Sequence, residues 1–109
     1  MSTRRGFQLH PAAANDITEI WEFIAVEDPA AARRVREDIL ETIRGLLRFP
    51  NRGHLRPDLT DLPLRFIRVF DFLIAYAPDE DPLWIIAVLH GRRDPSVLAA
   101  ILRNREEQR

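Results

Sequence analysis

The densest group of side chains that can do chemistry is the stretch His90-Gly91-Arg92-Arg93-Asp94, close to the end of the chain. Histidine titrates nearest to neutral pH, so His90 is a candidate general acid or base. Arginine presents a planar pair of N–H donors to phosphate or carboxylate, and Arg92 and Arg93 supply two of them. These residue types suit proton transfer beside a phosphate, or the binding of an acidic partner. A structural turn in which the imidazole caps a strand end is the alternative for His90.

Two further residues, both from earlier parts of the chain, add to this set of candidate chemical groups. Arg65 opens an apolar run, and His54 lies in a polar loop as a second candidate acid or base. If the strands bring Arg65 close to Arg92 or Arg93, the group can hold a strained phosphate. An ion pair with a nearby carboxylate is the alternative role of Arg65. All 16 basic side chains are arginine, so lysine chemistry is excluded.

Composition narrows the class of protein. The chain has 109 residues, a formal net charge of -1 and no cysteine, which predicts one domain without disulfides or thiolate metal sites. The acidic turn Asp79–Asp81 lacks the spacing of a calcium loop, and neither a metal site nor a cofactor is predicted. The longest apolar run, Leu83–Leu89, is too short to span a membrane. Because no apolar segment follows residues 1–6, we expect no signal peptide and a soluble, cytoplasmic protein.

Short apolar runs in the second half of the chain must position the chemical groups. The runs Phe66–Phe70, Phe72–Ala77 and Leu83–Leu89 are rich in β-branched and aromatic residues and are bounded by polar residues, so they predict strands. Asp71 separates the first two, which predicts a tight turn there. Phe7–Leu9 predicts one further short strand near the start of the chain.

Three segments have helical patterns. Pro11 opens the first, whose apolar stripe is expected to face the core while Asp16 lies on the wet side. The second is expected from Pro29 to about Arg48, with Asp28 as its N-cap. Asp94 and Pro95 repeat that start signal for a short third helix, and residues 104–109 are expected to fray. The first stripe consists of Ala13, Ile17, Ile20, Trp21 and Ile24.

The order of these elements is strand, helix, helix, strand, strand, strand, short helix. This order predicts an α+β fold over residues 1–109, with an N-terminal strand and a helical hairpin packed on a small, mostly antiparallel sheet. A sheet of this size leaves an edge strand, which must be protected or paired.

Five segments at these spacings resemble the RelE/ParE superfamily of type II toxin–antitoxin toxins. The last of them looks most like the ParE branch, and together they span nearly the whole chain. The segments are Ala14–Ile24, Pro29–Arg34, Phe49–Gly53, Leu64-Arg65 and Val88–Asp94. The resemblance implies the RelE/ParE-like fold and a small toxin that forms a hetero-oligomer with an antitoxin encoded beside it.

The resemblance also implies two candidate activities. ParE-like toxins poison DNA gyrase without hydrolysing anything, and RelE-like toxins cut messenger RNA in the ribosome. Arg65 matches an arginine with which RelE-like nucleases bind phosphate, and His90 is the candidate acid or base for such a reaction. However, such nucleases use lysines and a C-terminal Tyr or His, whereas this chain has no lysine and its one tyrosine, Tyr76, lies in mid-sheet.

The ParE-like gyrase inhibitor is therefore the favoured function, and the ribosome-dependent endoribonuclease is the alternative. A third reading is a member that binds antitoxin but has lost toxicity. Several arginines suit an acidic antitoxin tail, while a sheet edge or the groove between sheet and helices suits an added strand or helix. The predicted partner-binding arginines are Arg52, Arg56, Arg65, Arg92 and Arg93.

Overall fold

The computed structural model describes residues 6–108, and its seven elements follow one another in the predicted order. The expectations for residues 1–5 and for Arg109 lie outside the described residues. The elements are β1 (Phe7–Leu9), α1 (Pro11–Ala25), α2 (Pro29–Leu46), β2 (Arg65–Val69), β3 (Phe72–Ala77), β4 (Leu83–His90) and α3 (Pro95–Glu107).

The four strands form one sheet in the order β1-β4-β3-β2. β1 runs parallel to β4, whereas β2–β3 and β3–β4 are antiparallel, so the predicted mostly antiparallel sheet is confirmed. The turn between β2 and β3 lies where Asp71 predicted it, with Phe70 in the left-handed region at φ 56°. β1 pairs only with Leu83–Ile85, so among residues 6–108 no strand neighbours the rest of the β4 edge.

Both faces of the sheet are covered. The α1–α2 hairpin packs on one face, where Ile17, Ile39 and Ile43 meet side chains of β3 and β4. On the other face, Leu98 and Leu102 of α3 pack against the sheet together with loop residues. Successive side chains of a strand point to opposite faces of the sheet, and here each face is covered by a core. For this reason β4 is apolar along nearly its whole length.

Side chains cap the helices at the starts that proline signals predicted. Asp28 accepts a hydrogen bond from the Ala31 N–H at 3.0 Å, and Asp94 accepts one from the Ser96 N–H at 2.8 Å. Both prolines follow at the first helical position, where no N–H is needed. His10 caps α1 through its Nδ1, which accepts from the Ala12 N–H at 2.9 Å, a role that the sequence did not reveal.

Asp16 is buried rather than on the wet side, so that expectation was wrong. The residue is 8% exposed, and its carboxylate accepts two hydrogen bonds from Arg105 of α3, at 2.5 and 2.9 Å. It also accepts the Val88 N–H at 2.9 Å, while Arg105 donates to the Ile86 carbonyl at 3.1 Å. We call Asp16 and Arg105 the edge clamp, because they occupy backbone groups of β4 beyond the end of β1.

The helix ends also differ from the expectations. α3 stays helical to Glu107 instead of fraying from residue 104, because the clamp holds Arg105 against α1 and β4. α2 ends at Leu46, two residues before the expected Arg48, and Leu47 forms its C-cap. Within residues 6–108, no helix is long and apolar enough to cross a membrane.

Candidate functional site

Arg65 and His90 lie at opposite ends of the sheet. The β2–β3 register pairs Arg65 with Tyr76, and the β3–β4 register pairs His90 with Phe72, at the other end of β3. Four residues along the strand and two spacings between strands separate their Cα atoms by roughly 16 Å. The strands therefore do not bring the two groups, or Arg65 and Arg92, to one phosphate position.

The Arg65 side chain is directed into the loop that follows α2. Its guanidinium donates to the Gly53 carbonyl at 2.8 Å and, more weakly, to the Asn51 carbonyl at 3.4 Å. We call residues Phe49–His54 the pinned loop. Because Nη1 of Arg65 makes both of these bonds, the side chain ties the pinned loop to this end of the sheet.

Tyr76 fastens the same loop from the core. Its hydroxyl donates to the Pro50 carbonyl at 2.7 Å and accepts from the Gly53 N–H at 2.9 Å. Burial raises the pKa of Tyr76, against the opposing effects of the Gly53 hydrogen bond and the nearby arginine charges. The buried hydroxyl both donates and accepts a hydrogen bond, so it links the loop to the sheet and has a structural role.

Gly53 permits this close approach. A Cβ at this position would lie 2.7 Å from the Tyr76 hydroxyl oxygen and 2.8 Å from the Phe66 carbonyl oxygen. His54, the next residue, exchanges two backbone hydrogen bonds of 2.8 Å with Phe66 of β2. The imidazole of His54 is attached to this exposed segment and lies away from His90, so the two histidines do not form a pair.

At the other end, His90 lies in a compact turn. Its Nδ1 accepts from the Arg92 N–H at 3.3 Å, and its ring meets the Phe72 ring edge-on at a centroid distance of 5.6 Å. The Gly91 N–H donates to the Asp71 carbonyl at 2.8 Å. Arg92 lies 4.0 Å from the Asp71 carboxylate, an exposed ion pair that contributes little to stability.

An apolar groove opens beside this turn, between the tip of the helical hairpin and the end of the sheet. Its volume is about 630 Å³. Phe23 lines it and is 84% exposed, which is unusual for a phenylalanine in a domain with two packed cores. The charged or polar residues around its apolar lining are Asp16, Glu19, Asp71, His90 and Arg93. We call this cleft the apolar groove. Its apolar lining includes Ile20, Phe23, Ile24, Val35, Phe72 and Val88.

The remaining predicted arginines divide between the two ends. Arg56 forms a bidentate pair with Asp58, at 2.9 and 2.8 Å, and this hydrogen bonding holds the pKa of Asp58 below its usual value. Arg52 is exposed and lies beside Gly45 at the end of α2. Arg93 lines the apolar groove. In the part of the chain that the structure describes, no three His, Asp or Glu residues are arranged to hold a metal.

The fold and the groove define a class: small α+β domains in which a helical hairpin and a sheet leave an apolar cleft open. Residues 7–95 match the family model of the ParE toxin of the type II toxin–antitoxin system parDE. The chain therefore belongs to the ParE toxin family. It is a ParE-like toxin, and the toxin–antitoxin arrangement implies a cognate antitoxin as its partner.

A solved structure described as the chromosomal ParDE toxin–antitoxin system from P. aeruginosa has the same fold. The TM-score is 0.66 at 22% sequence identity, over 82% of this chain and 98% of that chain. No curated protein matches the chain. The predicted RelE/ParE-like fold is thus confirmed by both the family match and the structural likeness.

Proposed function

We propose that this protein acts in the cytoplasm as a single-domain toxin that inhibits DNA gyrase by binding it, and that its antitoxin neutralises it in a hetero-oligomer. The proposed target follows from membership of the ParE family. The observation that carries the binding mode is the sheet register, which separates Arg65 from His90 by roughly 16 Å.

Cleavage of RNA through its 2′-hydroxyl requires a base, an acid and a cation around one phosphate. Arg65 instead donates to backbone carbonyls, and Tyr76 is buried with both of its hydroxyl partners in place. His90 has neither of them beside it. These contacts favour a toxin that binds over one that cuts, and no contact of the described residues favours the nuclease.

The apolar groove is our candidate site for the antitoxin. A strand added to the exposed part of β4 needs free backbone donors and acceptors. The edge clamp already occupies the Val88 N–H and the Ile86 carbonyl. An apolar helix that inserts side chains between Phe23 and Phe72 needs no such backbone groups, so we favour a helix in the groove over strand addition.

The experiment that tests this function measures supercoiling by gyrase with increasing amounts of the purified protein. It is repeated with a C-terminal peptide encoded by the neighbouring open reading frame. We expect inhibition that the peptide relieves. His90→Ala should inhibit as the unmodified protein does, and His54→Ala serves as the matched histidine control.

A nuclease would give a different result. In that case supercoiling stays unchanged, ribosome-bound messenger RNA is cut, and His90→Ala lowers the cleavage rate by about 100-fold or more while His54→Ala does not. This pattern would contradict the binding function and make His90 a catalytic residue.

A further inference from the structure

We propose that Arg48, Phe49 and Arg52 form a second binding surface, which docks on an acidic patch of the toxin's target while the apolar groove serves the antitoxin. We call these three residues the arginine–aromatic surface. This inference rests on the proposed function, because it assigns a separate surface to the target.

Phe49 is the centre of this surface. It follows the last turn of α2 and is 59% exposed, although the chain has two well-filled cores close by. A shallow depression beside it is lined by Arg48, Phe49, Pro50, Asn51 and Arg52. Aromatic residues and arginine are the residue types that contribute most to protein–protein binding when they meet in one patch.

The backbone under this surface is held rigidly. Tyr76 bonds to Pro50 and Gly53, and Arg65 bonds to the carbonyls of Asn51 and Gly53. These bonds fix both sides of Arg52. A surface that is already ordered loses less conformational entropy on binding, so an exposed aromatic residue here contributes more of its contact energy to affinity.

Charge indicates what kind of partner fits. Arg44 is paired with Glu41 and Arg56 with Asp58, on either side of the surface. Among residues 6–108, no carboxylate forms an ion pair with Arg48 or Arg52. Two unpaired guanidinium groups beside an exposed ring complement an acidic patch, to which arginine binds through two parallel hydrogen bonds.

Position separates this surface from the groove. Val35 of α2 lines the groove, whereas the arginine–aromatic surface begins just beyond Leu46, where α2 ends. The helical rise between Val35 and Leu46 is about 16 Å. A helix seated in the groove therefore leaves the second surface free. The other source of an acidic patch is an antitoxin tail that extends along α2, and the experiment distinguishes the two.

The test compares Phe49→Ala and Arg52→Glu with Arg103→Glu, a control that makes the same charge change at an exposed arginine of α3. Each variant is measured for growth arrest on induction, for inhibition of gyrase supercoiling, and for affinity to the C-terminal antitoxin peptide. Circular dichroism and thermal unfolding confirm that the exposed substitutions leave the fold intact. We expect Phe49→Ala and Arg52→Glu to weaken growth arrest and gyrase inhibition by about tenfold or more. Peptide affinity should stay within about twofold, and Arg103→Glu should match the unmodified protein.

Other results would overturn the inference. If the variants arrest growth as well as the unmodified protein, the surface does not face the target. If peptide affinity falls while toxicity is kept, the surface binds the antitoxin. If the unmodified protein arrests growth without inhibiting gyrase, the proposed target is wrong, but growth arrest by the variants still decides the role of the surface. A protein that arrests no growth has no target for the surface to face, which also contradicts the inference.

Discussion

The two ends of the sheet differ in how they use their polar and aromatic groups. At the end with the pinned loop, Nη1 of Arg65 and the hydroxyl of Tyr76 form hydrogen bonds with the protein's own backbone. At the end with the apolar groove, Phe23 and Arg93 remain open to solvent. Arginine, tyrosine and histidine at strand ends are thus no guide to a catalytic site until their hydrogen-bond partners are known.

The difference has a physical cause. A loop that crosses the end of a core buries backbone groups, and each of them needs a partner. Arg65 and Tyr76 supply those partners for residues 50–53. At the other end, Phe23 near the tip of the hairpin is 84% exposed and lines the groove, so an apolar side chain stays uncovered there. Substitutions at either end, or at the edge between them, should therefore differ in effect.

Opening the β4 edge beside the groove should have the largest effect. Arg105→Met leaves the Asp16 carboxylate buried without its partner, which should lower the free energy of unfolding by about 3–5 kcal/mol. Urea unfolding followed by circular dichroism measures this change. Arg103→Met removes an exposed arginine of the same helix and should change stability by less than about 0.5 kcal/mol. Equal effects of the two substitutions would show that the edge clamp contributes nothing.

Removing the exposed aromatic residue from each end should sharpen the contrast between them. Phe23→Ala should weaken antitoxin binding by about 2 kcal/mol, a loss of about 30-fold in affinity, because the side chain lines the groove. Phe49→Ala, the matched substitution at the other end, should leave that affinity unchanged. Calorimetric titration with the antitoxin peptide compares them. A larger loss for Phe49→Ala would place the antitoxin at the pinned loop.

Removing a hydrogen bond from the pinned loop should lower the stability of the fold by less than the loss of Arg105 does. Tyr76→Phe removes the hydroxyl between the Pro50 carbonyl and the Gly53 N–H, so stability should fall by about 1–3 kcal/mol. Antitoxin affinity should not change, because the groove lies at the far end of the sheet. Chemical unfolding and titration on the same samples test both statements, and a loss of affinity without a loss of stability would contradict them.

The same hydroxyl predicts a dependence on alkaline pH. Burial raises the pKa of Tyr76 in the folded state, so the unfolded chain releases this proton first as the pH rises past about 10. The contribution of the neutral hydroxyl to stability is complete below that pH and is lost as the pH rises through the folded-state pKa. Unfolding curves between pH 8 and pH 11 (an approximate range) should therefore converge for the unmodified protein and Tyr76→Phe. A constant difference would contradict this assignment.

The smallest change in stability is expected on substitution of His90, the main candidate acid or base in the sequence. His90→Ala removes one hydrogen bond of 3.3 Å and an edge-on contact with Phe72, both at the surface. Thermal unfolding should show a loss below about 1 kcal/mol. A loss as large as that of Tyr76→Phe would mean that the two ends are equally dependent on their polar residues.

Much of the fold could be predicted because its signals are local. Asp28 and Asp94, each followed by proline, indicated two helix starts, and short apolar runs bounded by polar residues indicated the strands. The functional sites depend on residues that are distant in sequence. Arg105 binds Asp16 from 89 positions away. A helical pattern assigns Asp16 to the wet side because it contains no information about the partner on α3.

A groove between sheet and helices was expected, but the residues that line it could not be predicted, for a related reason. Phe23 lies outside the apolar stripe of α1, so the pattern offered no role for it, and its neighbours Phe72 and Val88 come from distant strands. The two ends of the sheet could be told apart only by the register. Before the register is known, Arg65 and His90 are simply two polar residues at the ends of strands.

The brevity of β1 has a consequence for the toxin as a free molecule. Its three residues pair with only the first part of the eight-residue β4, which leaves a length of edge where a second copy would add its own strand. The edge clamp closes that length with two charged side chains instead of with more backbone. An ion pair cannot be copied from chain to chain as a strand can, so this length of the β4 edge offers no template for a second copy, while the groove stays open to a different molecule.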